Sequence, residues 1–343
     1  MRFSFFATLA CLGFGQASIY KKINDDWSFD VGKGQNADWM NLIDGSRSLS
    51  SLVIPGTHNS ATDSLADTLT SKLMQTQNVP LQDQLTGGIR YIDITCKVSQ
   101  NELVVYNGVS KTKSSFGLVL STIFNFLDQH QTETVILRIQ MGTSIRGSKS
   151  AAETFEQYFT SGSGFAQRIA DHVYTNGGNG ITTIPTLNEL RGKIFILEDF
   201  KAISPGRYGL PWNENTVSSY SRTFSASTTF MDSKWDDIKS HLSETPRNSA
   251  NKLRITHTTA SVGVSPIKFA ARNAPKVGMN KHLGKYLRDE RGVAHGIVAM
   301  DFPGQYLVKQ ILLLNGDYWA AQAATQPPDN RGMSSSADAL GSV

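Results

Sequence analysis

Cysteine is nearly missing from this chain: 343 residues hold two, Cys11 and Cys96. Cys11 lies in MRFSFFATLACLGFGQAS, where one basic residue precedes an apolar run from Phe3 to about Phe14, with small residues after it. That pattern predicts a secretory leader, residues 1–17, too short to span a bilayer and cut near Ala17. Its loss leaves Cys96 alone, which excludes an internal disulfide; a core of this size does not require one. The expected location is therefore extracellular. No CxxC or HExxH spacing occurs, so the usual zinc sites are excluded. Neither GxGxxG nor GxxxxGK[ST] follows any apolar run, which removes the dinucleotide and P-loop signatures. After the leader no segment approaches the ~20 apolar residues of a spanning helix. The polar C-terminus carries no hydrophobic anchor signal. Clustered charge is absent as well: 33 Lys and Arg against 29 Asp and Glu give +4. An unclustered balance of this kind gives nucleic-acid binding no support and leaves room only for weak attraction to an anionic membrane surface. Oligomeric state has no signature in the sequence.

What is present is a core-forming composition, 39% hydrophobic, arranged as strands and helices in turn. Short apolar runs fall at 51–54, 89–94, 103–106, 134–139, 193–197, 252–256 and 296–302. Helical faces fall between them: Phe116, Val119, Leu120, Ile123, Phe124 and Leu127; Phe155, Tyr158 and Phe159; Trp235, Ile238 and Leu242; Leu307, Ile311 and Leu314. This alternation predicts an α/β fold with a parallel sheet, a (β/α) barrel first and a doubly wound sheet second. The expected layout is a lead-in at 18–38, one barrel domain at 39–315 and a disordered Pro/Ser/Gly-rich tail at 326–343.

Barrel chemistry sits where strands end. The stretch SLVIPGTHNSATDS, residues 51–64, reads as a buried strand that breaks at Pro55-Gly56 and delivers His58. The other strand-end polar residues are Asn59, Asp93, Thr95, Asn107, Gln140, Glu198, Asp199, His257 and Asp301. Trp212 closes the loop segment GLPW, which is expected either to rest on a membrane or to pack against the barrel rim.

Several blocks, taken in order, resemble the phosphatidylinositol-specific phospholipase C X-domain family, the PLC-like phosphodiesterases. They are DWMNLIDGSRSLSSLVIPGTHNSAT, LQDQLTGGIRYIDI, ELVVYNG, FLDQHQTETVILRIQ, PTLNELRGKIFIL and GIVAMDFPG, covering most of residues 38–315. The resemblance implies an irregular TIM-type barrel and acid–base cleavage of an inositol phosphodiester. One histidine removes a proton from the inositol 2-hydroxyl, a second protonates the leaving oxygen, and an arginine or a calcium ion neutralises the phosphoryl oxygens. By this resemblance His58 matches the base, Asp301 the carboxylate beside it, and Asp93 the acid of the second strand. Asn59 matches an amide of the calcium-dependent branch, so Asn59 and Asp93 are the residues that would hold calcium. Asn107 stands in place of the second histidine and Thr95 in place of the arginine or aspartate. Gln140 and Asp199 are expected to face the headgroup with Asn59, and Glu198 to sit beside them. The implied partner is a phospholipid or inositol-phosphate headgroup, with transient membrane contact. Two functional readings follow. One is a headgroup-binding member whose two-histidine activity is weak or lost. The other is a divergent hydrolase that pairs His58 with a different acid, His257 being the alternative at a strand end.

Overall fold

The computed structural model describes residues 26–65, 71–221, 229–244, 252–260, 264–272 and 277–325. The leader at 1–17 and the tail at 326–343 lie outside the described residues.

Among the described residues ten strands form one sheet. They are β1 (Ile54–Thr57), β2 (Tyr91–Ser99), β3 (Glu102–Asn107), β4 (Ser110–Ser115), β5 (Val135–Met141), β6 (Ile194–Asp199), β7 (Leu210–Pro211), β8 (Val217–Tyr220), β9 (Leu253–His257) and β10 (Ile297–Met300). The order β7-β6-β5-β2-β1-β10-β9-β8 is parallel throughout, and β3 and β4 add an antiparallel hairpin to β2. The sheet is open and curled, flanked by helices: an irregular, incomplete barrel of the PLC-like phosphodiesterase kind. The central strands are continuous apolar runs, as parallel strands covered on both faces must be. Ile92, Ile94, Ile136, Leu137, Phe195, Ile196, Ile255 and Val298 are all buried.

The helix Phe116–Gln129 shows how sequence fixes an outer layer. The Ser115 side chain caps its first turn by accepting the Leu118 N–H, and Phe116, Val119, Leu120, Ile123, Phe124 and Leu127 bury one face. Helices Ala151–Gln157, Thr229–Ser243, Met279–Arg288 and Gln305–Leu312 add further cover. The lead-in joins the core: Trp27 and Val31 are buried, and Trp27 lies against Tyr306 with ring centroids 4.7 Å apart. Past Leu314 the chain continues as a helix, Gly316–Thr325, with Tyr318 buried.

The first strand differs from its expected form. It does not break at Pro55-Gly56 but runs through both residues, while the N–H and C=O of Val53 are taken by the Asn315 side chain at 2.9 and 2.8 Å. Glycine is required at 56 because a Cβ there would lie 2.7 Å from Tyr91, which fills the barrel interior beside it. The shifted strand still ends immediately before His58.

Candidate active site

His58 leaves β1 in a turn tied down on every side. Its N–H donates to Met300 C=O (3.0 Å), and its own C=O accepts from Thr76 Oγ1 and Gln77 Nε2, both at 2.9 Å. The buried Gln77 amide also donates to Met300 C=O (3.0 Å), clamping the ends of β1 and β10 together. Asn59 follows with a φ of 42°, a left-handed conformation that asparagine tolerates better than most residues. Asp301 comes one residue after β10, and Asn280 Nδ2 donates to its C=O at 3.0 Å.

These constraints place His58 Nδ1 2.9 Å from Asp301 Oδ1. The Asp301 side chain is 1% exposed and that of His58 26%, so the ring reaches solvent and its orienting carboxylate does not. Asp301 Oδ2 accepts the Ala260 N–H at 3.1 Å. Burial opposes a charge on His58, but the Asp301 carboxylate beside it, with Asp93 further off, outweighs burial and raises the imidazole pKa. With Nδ1–H donated to Asp301, Nε2 carries the lone pair. Asn59 Nδ2 lies against it at 2.9 Å.

Across from this pair stands a cation that does not end a strand. Arg138, mid-strand in β5, is in register with Asp93 on β2. Its guanidinium meets Asp93 Oδ2 at 3.3 Å and Asp199 Oδ2 at 2.6 Å, with a second contact from Nε to Asp199 at 3.1 Å. Trp212 covers it, ring centroid 4.1 Å from the guanidinium carbon, so the GLPW segment, expected as a loop but pairing as β7 at Leu210–Pro211, packs at the rim. A signal for Arg138 did exist. It lies two residues before Gln140 and therefore on the same strand face, and a charge inside TVILRIQ must find partners.

Other expected residues divide. Thr95 Oγ1 and Gln140 Oε1 face each other from adjacent strands at 3.4 Å. Asp199 is bound to Arg138, whereas Glu198 has the opposite strand parity. It is buried, and its Oε2 accepts the Gly206 N–H at 2.9 Å. Glu198 therefore holds the loop after β6 and does not stand beside Asp199 as an anionic pair. Asn107, at the end of β3, donates from Nδ2 to Met74 C=O at 2.5 Å and ties the hairpin to the 71–74 turn. His257 does face His58, rings edge to face with centroids 5.7 Å apart. It is fully enclosed, and burial first, then the positive neighbours His58, Arg138 and Lys234, push its pKa well below the ordinary imidazole range. His257 is thus a neutral ring.

The residues do not suit calcium. Of the two expected ligands, Asp93 is paired to a guanidinium and Asn59 is turned onto the His58 lone pair, while hard cations ask for several free oxygens. Among the described residues there is no group of three or more His, Cys, Asp or Glu side chains able to hold a metal.

A histidine–carboxylate pair and an arginine thus stand together at the C-terminal rim of a parallel barrel. Residues 52–199 match the family model "Phosphatidylinositol-specific phospholipase C, X domain". The chain is 29% identical over 290 residues to the 1-phosphatidylinositol phosphodiesterase of Listeria monocytogenes, covering 81% of this chain and 84% of the relative. The corresponding enzyme of Staphylococcus aureus, strain Newman, is 25% identical over 162 residues, covering 46% of this chain and 49% of the relative. The solved phosphatidylinositol-specific phospholipase C of Listeria monocytogenes superposes with a TM-score of 0.64 at 26% identity, over 82% of this chain and 99% of that one. In its X domain and in its fold the chain matches the family of phosphatidylinositol phospholipase C-like phosphodiesterases, at low identity to the bacterial enzymes.

Proposed function

We propose that this protein binds the inositol-phosphate headgroup of a phospholipid and activates it for internal attack, with slow release of the lipid leaving group. The observation that carries this reading is the His58–Asp301 pair at 2.9 Å, with the Arg138 guanidinium held by Asp93 and Asp199 on the neighbouring strands. His58 Nε2 takes the proton of the inositol 2-hydroxyl, which displaces the Asn59 amide from that lone pair. The freed oxygen attacks phosphorus and closes a cyclic phosphate. Arg138 neutralises the phosphoryl oxygens, the role that the family arginine or metal fills. Asn59, Thr95, Gln140 and Asp199 offer donors and acceptors to the sugar hydroxyls and phosphate. The leaving glycerol oxygen takes its proton from water, because Asn107 has no proton to give and neutral His257 lies beneath the base. The ring spacing of 5.7 Å favours His257 as a substitute acid, but its burial and depressed pKa oppose that role. A membrane surface is the expected setting for a secreted form of this chain. Leu73 and Val109, 52% and 76% exposed, flank the Asn107 hairpin and suit contact with lipid.

The test is titration calorimetry of inositol phosphate with an assay of cyclic inositol phosphate release. Wild type binds and releases product slowly. His58→Ala binds without product, and Arg138→Met does neither. Product from His58→Ala at the wild-type rate, or undiminished binding to Arg138→Met, contradicts the proposal.

A further inference from the structure

Below the Asp301 carboxylate lies a lysine that the resemblance does not use. Lys234, on helix Thr229–Ser243, is 6% exposed and donates from Nζ to the C=O of Thr259 at 2.5 Å. The peptide carrying that carbonyl continues into the N–H of Ala260, which donates to Asp301 Oδ2 at 3.1 Å. Two hydrogen bonds therefore meet on one peptide unit, an ammonium on its oxygen and a carboxylate on its nitrogen. A cation on the oxygen draws electron density from the nitrogen and strengthens the N–H as a donor, and such chains reinforce each other in a low dielectric.

We propose that Lys234 is a positioning residue which, through the Thr259–Ala260 peptide, fixes the Asp301 carboxylate and so sets the ring of His58. This rests on the proposed role of His58 as base. The peptide follows β9, so the device links helix Thr229–Ser243 to the site through one peptide unit held between the Lys234 and Asp301 side chains. Asp301 lies across the peptide, His257 comes from β9, and helix Pro266–Ala271 offers the Phe269 ring at 5.1 Å. Burial lowers the ammonium to about 8, against the pull of Asp301, so the cation is present at neutral pH and lost above it.

The experiment follows the Ala260 amide by NMR alongside cleavage of an inositol phosphodiester with a nitrophenol leaving group. In wild type the Ala260 amide proton moves upfield as the pH rises past about 8, and Lys234→Met at neutral pH shows the upfield position already. Lys234→Arg restores the downfield position. Lys234→Met lowers kcat roughly tenfold with KM unchanged, less than loss of a donor that touches the reacting atoms, and has no further effect in an Asp301→Asn background. An Ala260 amide insensitive both to that pH step and to the substitution overturns the inference. So does a kcat loss as large in Asp301→Asn as in wild type. Should Lys234→Met not fold, the wild-type titration decides alone. Should wild type cleave nothing, the base role fails, while the Ala260 readout still decides whether the peptide couples the two side chains.

Discussion

Against burial, the Asp301 carboxylate, with Asp93 further off, raises the pKa of His58, and that fixes the direction of several experiments. A base must be unprotonated, so kcat/KM should rise with pH through an apparent pKa above the ordinary imidazole value of about 6.5. Asp301→Asn should move that limb to lower pH while reducing the plateau. The same pair has a sign for stability. A folded-state pKa above the unfolded one stabilises the protein below about pH 6.5, and that contribution disappears as pH rises through the folded value. Arg138 sets the second expectation. Arg138→Lys keeps the charge but loses the fork that spans Asp93 and Asp199. Cleavage should fall by about 10²–10³-fold, the loss expected for one transition-state donor. Steady-state kinetics on the nitrophenol substrate would show it, and unchanged kcat would remove Arg138 from the reaction. Positions that end strands with a reactive side chain, His58 and Asp301 above all, could be picked out from sequence. Arg138 is signalled only by its place on the Gln140 face of an apolar strand, because it lies inward and mid-strand, and only register shows that Asp93 stands next to it.

At the scale of elements, apolar runs gave the central strands because parallel strands covered on both faces cannot hide their composition. β4, with the sequence SKTKSS, carried no such signal; hairpin pairing with β3 makes it a strand. Pro55 misled for a related reason. A proline costs one ladder donor, and at Pro55, whose C=O accepts the Arg90 N–H just ahead of the first β1–β2 pair at Gly56, the strand runs through that loss. The sheet is joined to the lead-in by a buried pair. Arg90 donates from Nε and Nη2 to Glu133 Oε2 at 2.9 and 2.8 Å, and from Nη1 to the carbonyls of Leu85 and Ile89 at 2.7 and 2.9 Å. Its Nη2 also donates to Ala37 C=O at 2.5 Å. Both side chains of the pair are wholly enclosed. Arg90→Met strands the Glu133 carboxylate and should cost ~3–5 kcal/mol. The urea midpoint should drop accordingly with little change in slope, and a midpoint within experimental error of wild type would show the pair to be dispensable.

For the molecule as a whole, the barrel brings His58 from β1, Asp301 from β10 and Arg138 from β5 to one rim, while Asn107 ties the β3–β4 hairpin to Met74. Chelators should therefore leave both binding and cleavage unchanged, because Arg138 supplies the charge that calcium would otherwise bring. A loss of activity in EDTA, restored by calcium, would instead place calcium at Asp93 and Asn59. The strongest test of the account is the ratio of turnover on two inositol phosphodiesters that differ only in leaving group, a nitrophenol and a glycerol lipid. A site with a base and a cation but no acid should cleave the nitrophenyl compound at least ~10²-fold faster, the contribution of a general acid that a good leaving group does not need. Comparable turnover on both, in the absence of metal, would mean that an acid is present and would contradict it.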